Sequence, residues 1–308
     1  MRGVTTVRRN DLARSSLRGR TVVVTGASSG IGRATATYLG QHGVRIVLAS
    51  RDEGGMGLAR DAIVEAGGEA LVVPTDVSHP EQMRQLAEQA IRWSDGNVFG
   101  WVNNAGVGTY GYIDQFSAEE LRRLFEVNLL GQVYGSRMIL PHLIERGVGV
   151  IVNVGSILGE VPFPAMAPYV ASKFAVRGFT ESIRLELKTR APGIRVCLVE
   201  PASISTLFYQ HALSRMGVMP RPVWPVFRPQ RVAAHIAGLL AEPRPTTTVP
   251  RIGSMLTLAH RLAPGGVQWL LARRGLAMIR SDRPDIRSNN LFEPSHGSTL
   301  QLPGFPGA

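Results

Sequence analysis

Cysteine is nearly absent from this chain of 308 residues: the single one, Cys197, lies within an apolar run. One thiol cannot form a disulfide within the chain, and the composition fits a reducing compartment. No apolar stretch of about 18 residues exists, so no transmembrane helix is predicted. The seven histidines show no metal-ligand spacing, and no metal is expected. The basic N-terminus lacks the apolar segment of a secretory signal, which favours a cytoplasmic protein.

Acidic residues are too few to balance arginine, and the formal net charge is +11. The excess lies at the ends, because residues 1–20 carry six arginines and one aspartate, and residues 246–308 carry seven arginines and three acidic residues. The nearly neutral middle argues against a nucleic-acid groove on the folded domain. The ends permit loose attraction to anionic lipid or RNA, but solvated basic tails explain the same charge equally well.

Short apolar runs alternate six times with helical segments, a pattern typical of an α/β protein with a doubly wound parallel sheet. A seventh run forms an edge strand. The predicted strands are 21–25, 44–49, 70–73, 98–102, 150–154, 194–199 and Thr246–Val249. We therefore predict a Rossmann-like sheet of order 3-2-1-4-5-6-7 flanked by helices and followed by a helical C-terminal extension.

The first predicted strand runs directly into a glycine-rich turn, and a helical segment follows. Backbone N–H groups and the helix dipole then face a common point, which suits the pyrophosphate of a dinucleotide. An ordinary glycine-rich turn is the less favoured alternative. The residues predicted to bind the cofactor here are Gly26, Ser28, Ser29, Gly30, Ile31 and Gly32.

The second predicted strand ends in Ser50 and Arg51, where an NAD-binding chain would place an acidic residue on the ribose. The Arg51 guanidinium can bind a 2′-phosphate in bidentate fashion, so NADP(H) is favoured over NAD(H). At the end of the third strand, Asp76 and Val77 are predicted to contact the adenine. Alternatively, Ser78 caps the next helix and Asp76 only assists it.

Tyr169 and Lys173 lie four residues apart, which places them on one face of a helix. A nearby cation favours a phenolate and lowers the pKa of a phenol, so the pair suits a general acid/base for a carbonyl or an alcohol. Ser156, at the end of the fifth strand, is expected to face Tyr169 across a cleft. Asn128, inside a predicted helix over 117–143, is either a structural bridge or part of a proton relay.

The motifs T-G-A-S-S-G-I-G (25–32), N-N-A-G (103–106) and Y-V-A-S-K (169–173), with Asn128 and Ser156, resemble the short-chain dehydrogenase/reductase family. The resemblance covers roughly residues 18–250. It implies that Ser156 orients the substrate oxygen and Tyr169 transfers the proton. Lys173 would hold the ribose and lower the pKa of Tyr169, Asn128 would keep a relay water, and the cofactor would supply the hydride.

The stretch 103–106 after the fourth strand is either an ordinary turn or a place where small residues leave room for the nicotinamide ribose. The resemblance favours contacts with the nicotinamide half of the cofactor. The residues concerned are Asn104, Ala105, Gly106, Pro201 and Thr206. One departure is Ala202, where family members commonly have glycine and where a methyl group either crowds the nicotinamide or has no effect. A homodimer or homotetramer through helices 117–143 and 167–190 is implied as well.

The loop over residues 203–228 is long and apolar, which predicts a lid over an apolar pocket. Ile157, Leu158, Val161 and Phe163 would form the other wall. This favours a bulky apolar ketone or secondary alcohol as substrate, although the same residues could pack on a partner subunit. A catalytically idle sensor or scaffold that binds NADP(H) is the alternative function, and the intact catalytic set argues against it.

The chain divides into a flexible basic N-terminus at 1–17, a catalytic domain at 18–250, an amphipathic helical extension at 251–280 and a disordered tail at 281–308. Within the extension, Val267–Ile279 suits an interfacial helix in contact with a membrane surface. Packing on the domain or on a second subunit explains its pattern equally well.

Overall fold

Seven short strands rich in β-branched residues form one parallel sheet in the computed structural model, which describes residues 16–285 and 289–294. In chain order they are β1 Thr21–Thr25, β2 Arg45–Ser50, β3 Ala70–Pro74, β4 Val98–Asn103, β5 Gly149–Val154, β6 Ile194–Pro201 and β7 Thr246–Val249. Their order across the sheet, β3-β2-β1-β4-β5-β6-β7, confirms the predicted topology.

Helices cover both faces of this sheet. They are α1 Gly30–Gln41, α2 Glu53–Glu65, α3 Pro80–Trp93, α4 Ala118–Phe125, α5 Gly131–Arg146, α6 Ala167–Arg190, α7 Phe208–His211, α8 Pro229–Ala241, α9 Gly253–Leu262 and α10 Pro264–Ile279. Along β1, Val22 and Val24 belong to one apolar cluster and Val23 to the other. Side chains alternate across a strand, so an unbroken apolar run fills both cores, at roughly 2 kcal/mol for each buried valine.

The helix predicted over 117–143 is interrupted. Ser117 and Glu120 form the expected capping box, with Glu120 N donating to Ser117 Oγ at 3.1 Å, but α4 ends at Phe125. A π-helical turn over Glu126–Leu130 then connects it to α5. Wide turns of this kind mark sites where a side chain competes with the helix ladder, and here the turn carries the buried Asn128.

Two small strand pairs fix the loop over residues 203–228. Leu213–Ser214 pairs in parallel with Thr109–Tyr110, and Val218–Pro220 pairs antiparallel with Arg280–Pro284. The lid is therefore tied to the body at one point and to the C-terminal extension at another.

The disorder expected at both ends does not hold for every residue there. Residues 281–284 form the strand just described, and Leu291 is only 1% exposed. Local composition did not reveal these contacts, because their partners lie far away in the sequence. Near the N-terminus, Leu17 is also buried. The remaining residues of the predicted flexible ends, 1–15, 286–288 and 295–308, lie outside the described part of the chain.

Candidate active site

One cavity of about 520 Å³ lies beyond the carboxyl ends of the strands, where ligands of such sheets bind. It brings together nearly all the residues predicted from the sequence. Those lining it are Gly26, Ser28, Ser29, Gly30, Ile31, Ser50, Arg51, Asp76, Val77, Asn104, Ala105, Gly106, Ser156, Tyr169, Lys173, Pro201 and Thr206. Gly32 and Asn128 do not line the cavity; they contact residues that support its wall.

The glycine turn between β1 and α1 is held in a shape that only glycine tolerates. Gly26 and Gly30 have φ values of +65° and +52°, and a Cβ on Gly32 would lie 2.1 Å from the carbonyl oxygen of Gly26. No acidic residue lies in the first turn of α1, and the Ser29 side chain makes no capping bond. These features fit a pyrophosphate held by backbone N–H groups.

Asn104 supports this turn from the neighbouring strand. Its Nδ2 donates to Thr25 O at 2.9 Å, and its backbone N donates to Thr25 Oγ1 at 3.0 Å. The side chain predicted to contact the cofactor therefore positions the turn that would hold it. Thr25, which the sequence analysis did not single out as a site residue, is the other half of this brace.

The proposed catalytic hydroxyls meet as expected. Tyr169 is buried, and its hydroxyl forms a hydrogen bond with Ser156, whose Oγ also accepts from Leu158 N at 3.1 Å. Lys173 Nζ donates to Val154 O at 3.1 Å and lies 5.7 Å from the centre of the Tyr169 ring. The helix α6 thus places both side chains beside the end of β5.

The expected lowering of the Tyr169 pKa is wrong for the chain as described. Burial raises the pKa of Tyr169 above its ordinary value, and the hydrogen bond from Ser156 only partly offsets this. Lys173 is itself buried, which lowers its pKa to about 8. Desolvation penalises the charged form of both groups, while the lysine directs its hydrogen bond to Val154 O instead of the phenol.

Asn128 forms the structural bridge that the sequence analysis considered. Its Oδ1 accepts from Val107 N at 2.8 Å, and its Nδ2 donates to Val107 O and to Ser172 Oγ at 3.0 and 3.1 Å. Ser172 Oγ in turn donates to Tyr169 O at 2.7 Å. The amide therefore ties the segment after β4 to the helix that carries Tyr169, and a relay role remains a prediction.

The guanidinium of Arg51 is occupied by the C-terminal segment 289–294. It donates to Asn290 O at 2.5 Å and to Phe292 O at 2.7 Å. Arg123 Nε donates to Leu291 O at 3.0 Å, so two arginines hold the same peptide. The sequence analysis identified neither Arg123 nor this segment, because no local pattern signals a contact across such a separation.

Asp76 is engaged within the protein. Its Oδ2 lies 2.5 Å from Arg123 Nη2, and its Oδ1 accepts from Ser78 N at 3.0 Å. Burial favours a higher pKa, but the hydrogen bonds from Arg123 and Ser78 outweigh it and hold the pKa of Asp76 below its usual value. The alternative prediction that Ser78 caps the next helix is wrong, since the N-cap of α3 is His79.

The far end of the cavity is apolar. Tyr110, Phe163, Met166, Phe208, Tyr209, Val223, Leu256 and Leu271 line it. The ring centres of Tyr169 and Phe208 lie 5.5 Å apart, which places this end beside Tyr169. Of the expected wall, Ile157, Leu158 and Phe163 line the cavity and Val161 is buried behind it.

The methyl group of Ala202 packs against Gly253, the first residue of α9. A Cβ built on Gly253 would lie 3.2 Å from the Cβ of Ala202 and 3.0 Å from Thr248 Cγ2. Glycine at 253 therefore lets the C-terminal extension approach the site closely, next to the position where family members commonly have glycine.

Comparisons with known proteins agree with this geometry. The model of the short chain dehydrogenase family matches residues 20–216. The uncharacterized oxidoreductase YxnA of Bacillus subtilis is 36% identical over 227 residues, covering 73% of this chain, which spans 64% of that relative. The 3beta-hydroxysteroid dehydrogenase 1 of Eggerthella lenta is 41% identical over 192 residues, covering 62% of this chain and 72% of that protein.

Solved structures give the same result. A short chain dehydrogenase/reductase from Burkholderia phymatum in complex with NAD superposes with a TM-score of 0.72 at 28% identity, covering 80% of this chain and 94% of that one. A metagenomic short-chain oxidoreductase in complex with NADP superposes with a TM-score of 0.65 at 32% identity, covering 76% of this chain and 98% of that one. The chain belongs to the short-chain dehydrogenase family of oxidoreductases.

Proposed function

We propose that this protein is an NADP(H)-dependent oxidoreductase that interconverts a carbonyl and a secondary alcohol on a bulky apolar substrate. The observation that carries the proposal is the Tyr169–Ser156 hydroxyl pair at the junction of two unlike halves of one cavity. One half is the glycine turn suited to a dinucleotide, and the other is lined by aromatic and aliphatic side chains.

The residues divide the chemistry between them. A bound nicotinamide dinucleotide supplies or accepts the hydride. Ser156 hydrogen-bonds to the substrate oxygen, and Tyr169 gives a proton to that oxygen or takes one from it. A phenol is protonated near neutral pH, and burial raises the pKa of Tyr169 further, so this side chain suits donation of a proton to a carbonyl. Lys173, already fixed at the end of β5, holds the ribose hydroxyls.

The preference for NADP(H) over NAD(H) rests on the position of Arg51 at the end of β2. The solved relatives hold either NAD or NADP, which supports a nicotinamide dinucleotide in general. The apolar end of the cavity and the hydroxysteroid dehydrogenase among the relatives support a substrate of steroid-like bulk.

The wider setting follows the same proposal. We place the protein in the cytoplasm as a homodimer or homotetramer, with contact to a membrane surface through the C-terminal extension. Among the residues that the structure describes, no helix is both long and apolar enough to cross a bilayer.

A substrate panel tests the proposal. Steroid-like and long-chain ketones and alcohols are offered with NADPH or NADP⁺, followed by absorbance, and repeated with NADH or NAD⁺. We expect turnover of apolar substrates, and Tyr169→Phe should abolish it while NADPH binding persists. Binding of NADPH with no turnover of any ketone or alcohol would instead support the idle sensor or scaffold.

A further inference from the structure

The C-terminal extension exposes a row of large apolar side chains. We call it the hairpin face and define it by Ile252, Met255, Leu258, Leu262, Trp269 and Leu270. The positions on α9 recur at intervals of three and four residues, so they lie on one side of that helix. Met255 is 69% exposed, Leu262 78% and Trp269 58%, and contiguous exposure of this kind marks an interaction surface.

The charge around this face is mostly positive, although Arg261 Nη2 lies 2.6 Å from Glu160 Oε2 and is paired with it. Residues 246–281 contain five arginines and no acidic residue. Arg251, Arg273, Arg274 and Arg280 are exposed, and the guanidinium of Arg273 lies 4.3 Å from the centre of the Trp269 ring. Arginine beside an exposed tryptophan suits the boundary between lipid headgroups and acyl chains.

The hairpin face reaches the opening of the active-site cavity through Ile252 and Leu270, which belong to both. Four side chains line the cavity and are also exposed at its mouth: Trp224 at 85%, Ile252 at 50%, Leu270 at 45% and Met278 at 38%. A mouth with an apolar rim is poorly suited to collecting a substrate from water. It can draw an apolar substrate from a lipid phase without exposing that substrate to solvent.

We propose that the hairpin face seats on an anionic lipid bilayer and that the substrate enters the cavity from the bilayer. The inference deepens the proposed function, because it names the substrate as a lipid-dissolved ketone or alcohol. A second copy of the chain is a poorer occupant. A two-fold contact would bring the arginines of residues 246–281 together with no acidic residue in that segment to balance them.

Binding to vesicles tests the surface. The full chain should sediment with phosphatidylcholine vesicles that contain phosphatidylglycerol, and much less with phosphatidylcholine alone or at high salt. The double variant Arg273→Gln/Arg274→Gln should bind about 25-fold more weakly, at about fivefold for each arginine. Met255→Ser/Leu262→Ser should also weaken binding, whereas the control Leu58→Ser/Val64→Ser, which alters exposed side chains on α2, should not.

A fluorescence measurement gives an independent readout. Lipids with brominated acyl chains should quench the emission of the full chain, and Trp224→Phe/Trp269→Phe should remove much of that quenching, since these two tryptophans are exposed and Trp101 is fully buried. Failure to sediment with anionic vesicles, or the absence of quenching, overturns the proposal. Light scattering that shows the hairpin-face variants breaking an oligomer apart overturns it as well.

Kinetics separate this inference from the proposed function. With a water-soluble ketone in lipid-free buffer, Met255→Ser/Leu262→Ser should turn over like the unmodified chain. With an apolar ketone dissolved in vesicles, its kcat/KM should fall about as far as its binding. Equal loss with both ketones overturns entry from the bilayer. Vesicle binding without turnover of any ketone leaves the surface standing and refutes the enzymatic role.

Discussion

The Arg51 guanidinium donates to the backbone carbonyl of Phe292 at 2.7 Å, across most of the length of the chain. The same N–H groups are the ones predicted to bind the 2′-phosphate of NADP(H). Leu291, next to Phe292, is buried in the apolar cluster that contains Val77 and Val127, two residues that also line the cavity. We therefore predict that the C-terminal segment 289–294 competes with the adenosine end of the cofactor for Arg51.

Deleting residues 289–308 should therefore tighten the binding of NADPH. Releasing Arg51 from the peptide carbonyls frees its donors for the phosphate, and we expect Kd to fall about tenfold, which corresponds to ~1.4 kcal/mol. Titration of NADPH fluorescence measures the effect. Weaker binding after the deletion would show that the segment completes the site instead of competing for it.

Arg51→Ala should weaken the preference for NADPH over NADH. Without the guanidinium, kcat/KM with NADPH should fall about tenfold or more, because a charged hydrogen bond contributes about 1.5–3 kcal/mol. The value with NADH should change little, since NADH has no 2′-phosphate. Steady-state assays with both cofactors on the same ketone provide the comparison, and equal losses would refute a role in reading the phosphate.

Gly32→Ala should abolish dinucleotide binding, because its Cβ would lie 2.1 Å from Gly26 O and would push the turn open. Gly57→Ala is the matched control. It lies within α2 with nothing within 4 Å of its Cβ, so alanine should raise the free energy of unfolding by about 0.5–1 kcal/mol. NADPH titration and thermal unfolding of both variants measure the contrast. Normal NADPH binding by Gly32→Ala would contradict the role of the turn.

Glu200 should make stability depend on pH. Its side chain is 1% exposed, and burial raises its pKa to about 7 although Arg177 Nη1 lies 2.7 Å away. A raised pKa favours the protonated form in the folded chain. This contribution is present below about pH 4.5 and is lost as the pH rises through 7.

The free energy of unfolding of Glu200→Gln should therefore depend less on pH between about pH 5 and 8. At the upper end it should exceed that of the unmodified chain by on the order of 1 kcal/mol. Urea unfolding across this range measures it. Glu81→Gln is the control, since the hydrogen bond from Arg84 lowers the pKa of Glu81 and removes it from this window. An unchanged slope for Glu200→Gln would contradict the assignment.

The glycine turn, the seven strands and the Tyr169–Lys173 spacing could all be read from the sequence. Each is a local pattern with one physical outcome: a parallel strand needs an unbroken apolar run, and a helix brings positions four apart onto one face. Since the carboxyl ends of parallel strands meet at one edge, the sequence also determined that Ser50, Asn104 and Ser156 share a cavity.

Only the tertiary structure decided what these groups contact. Arg51 reaches Phe292 because distant segments meet at the sheet edge, and no property of either stretch encodes that encounter. The pKa of Tyr169 rises because elements from distant parts of the chain pack around it and exclude water. Spacing fixes which side chains share a face, whereas desolvation and long-range pairing depend on everything that packs against them.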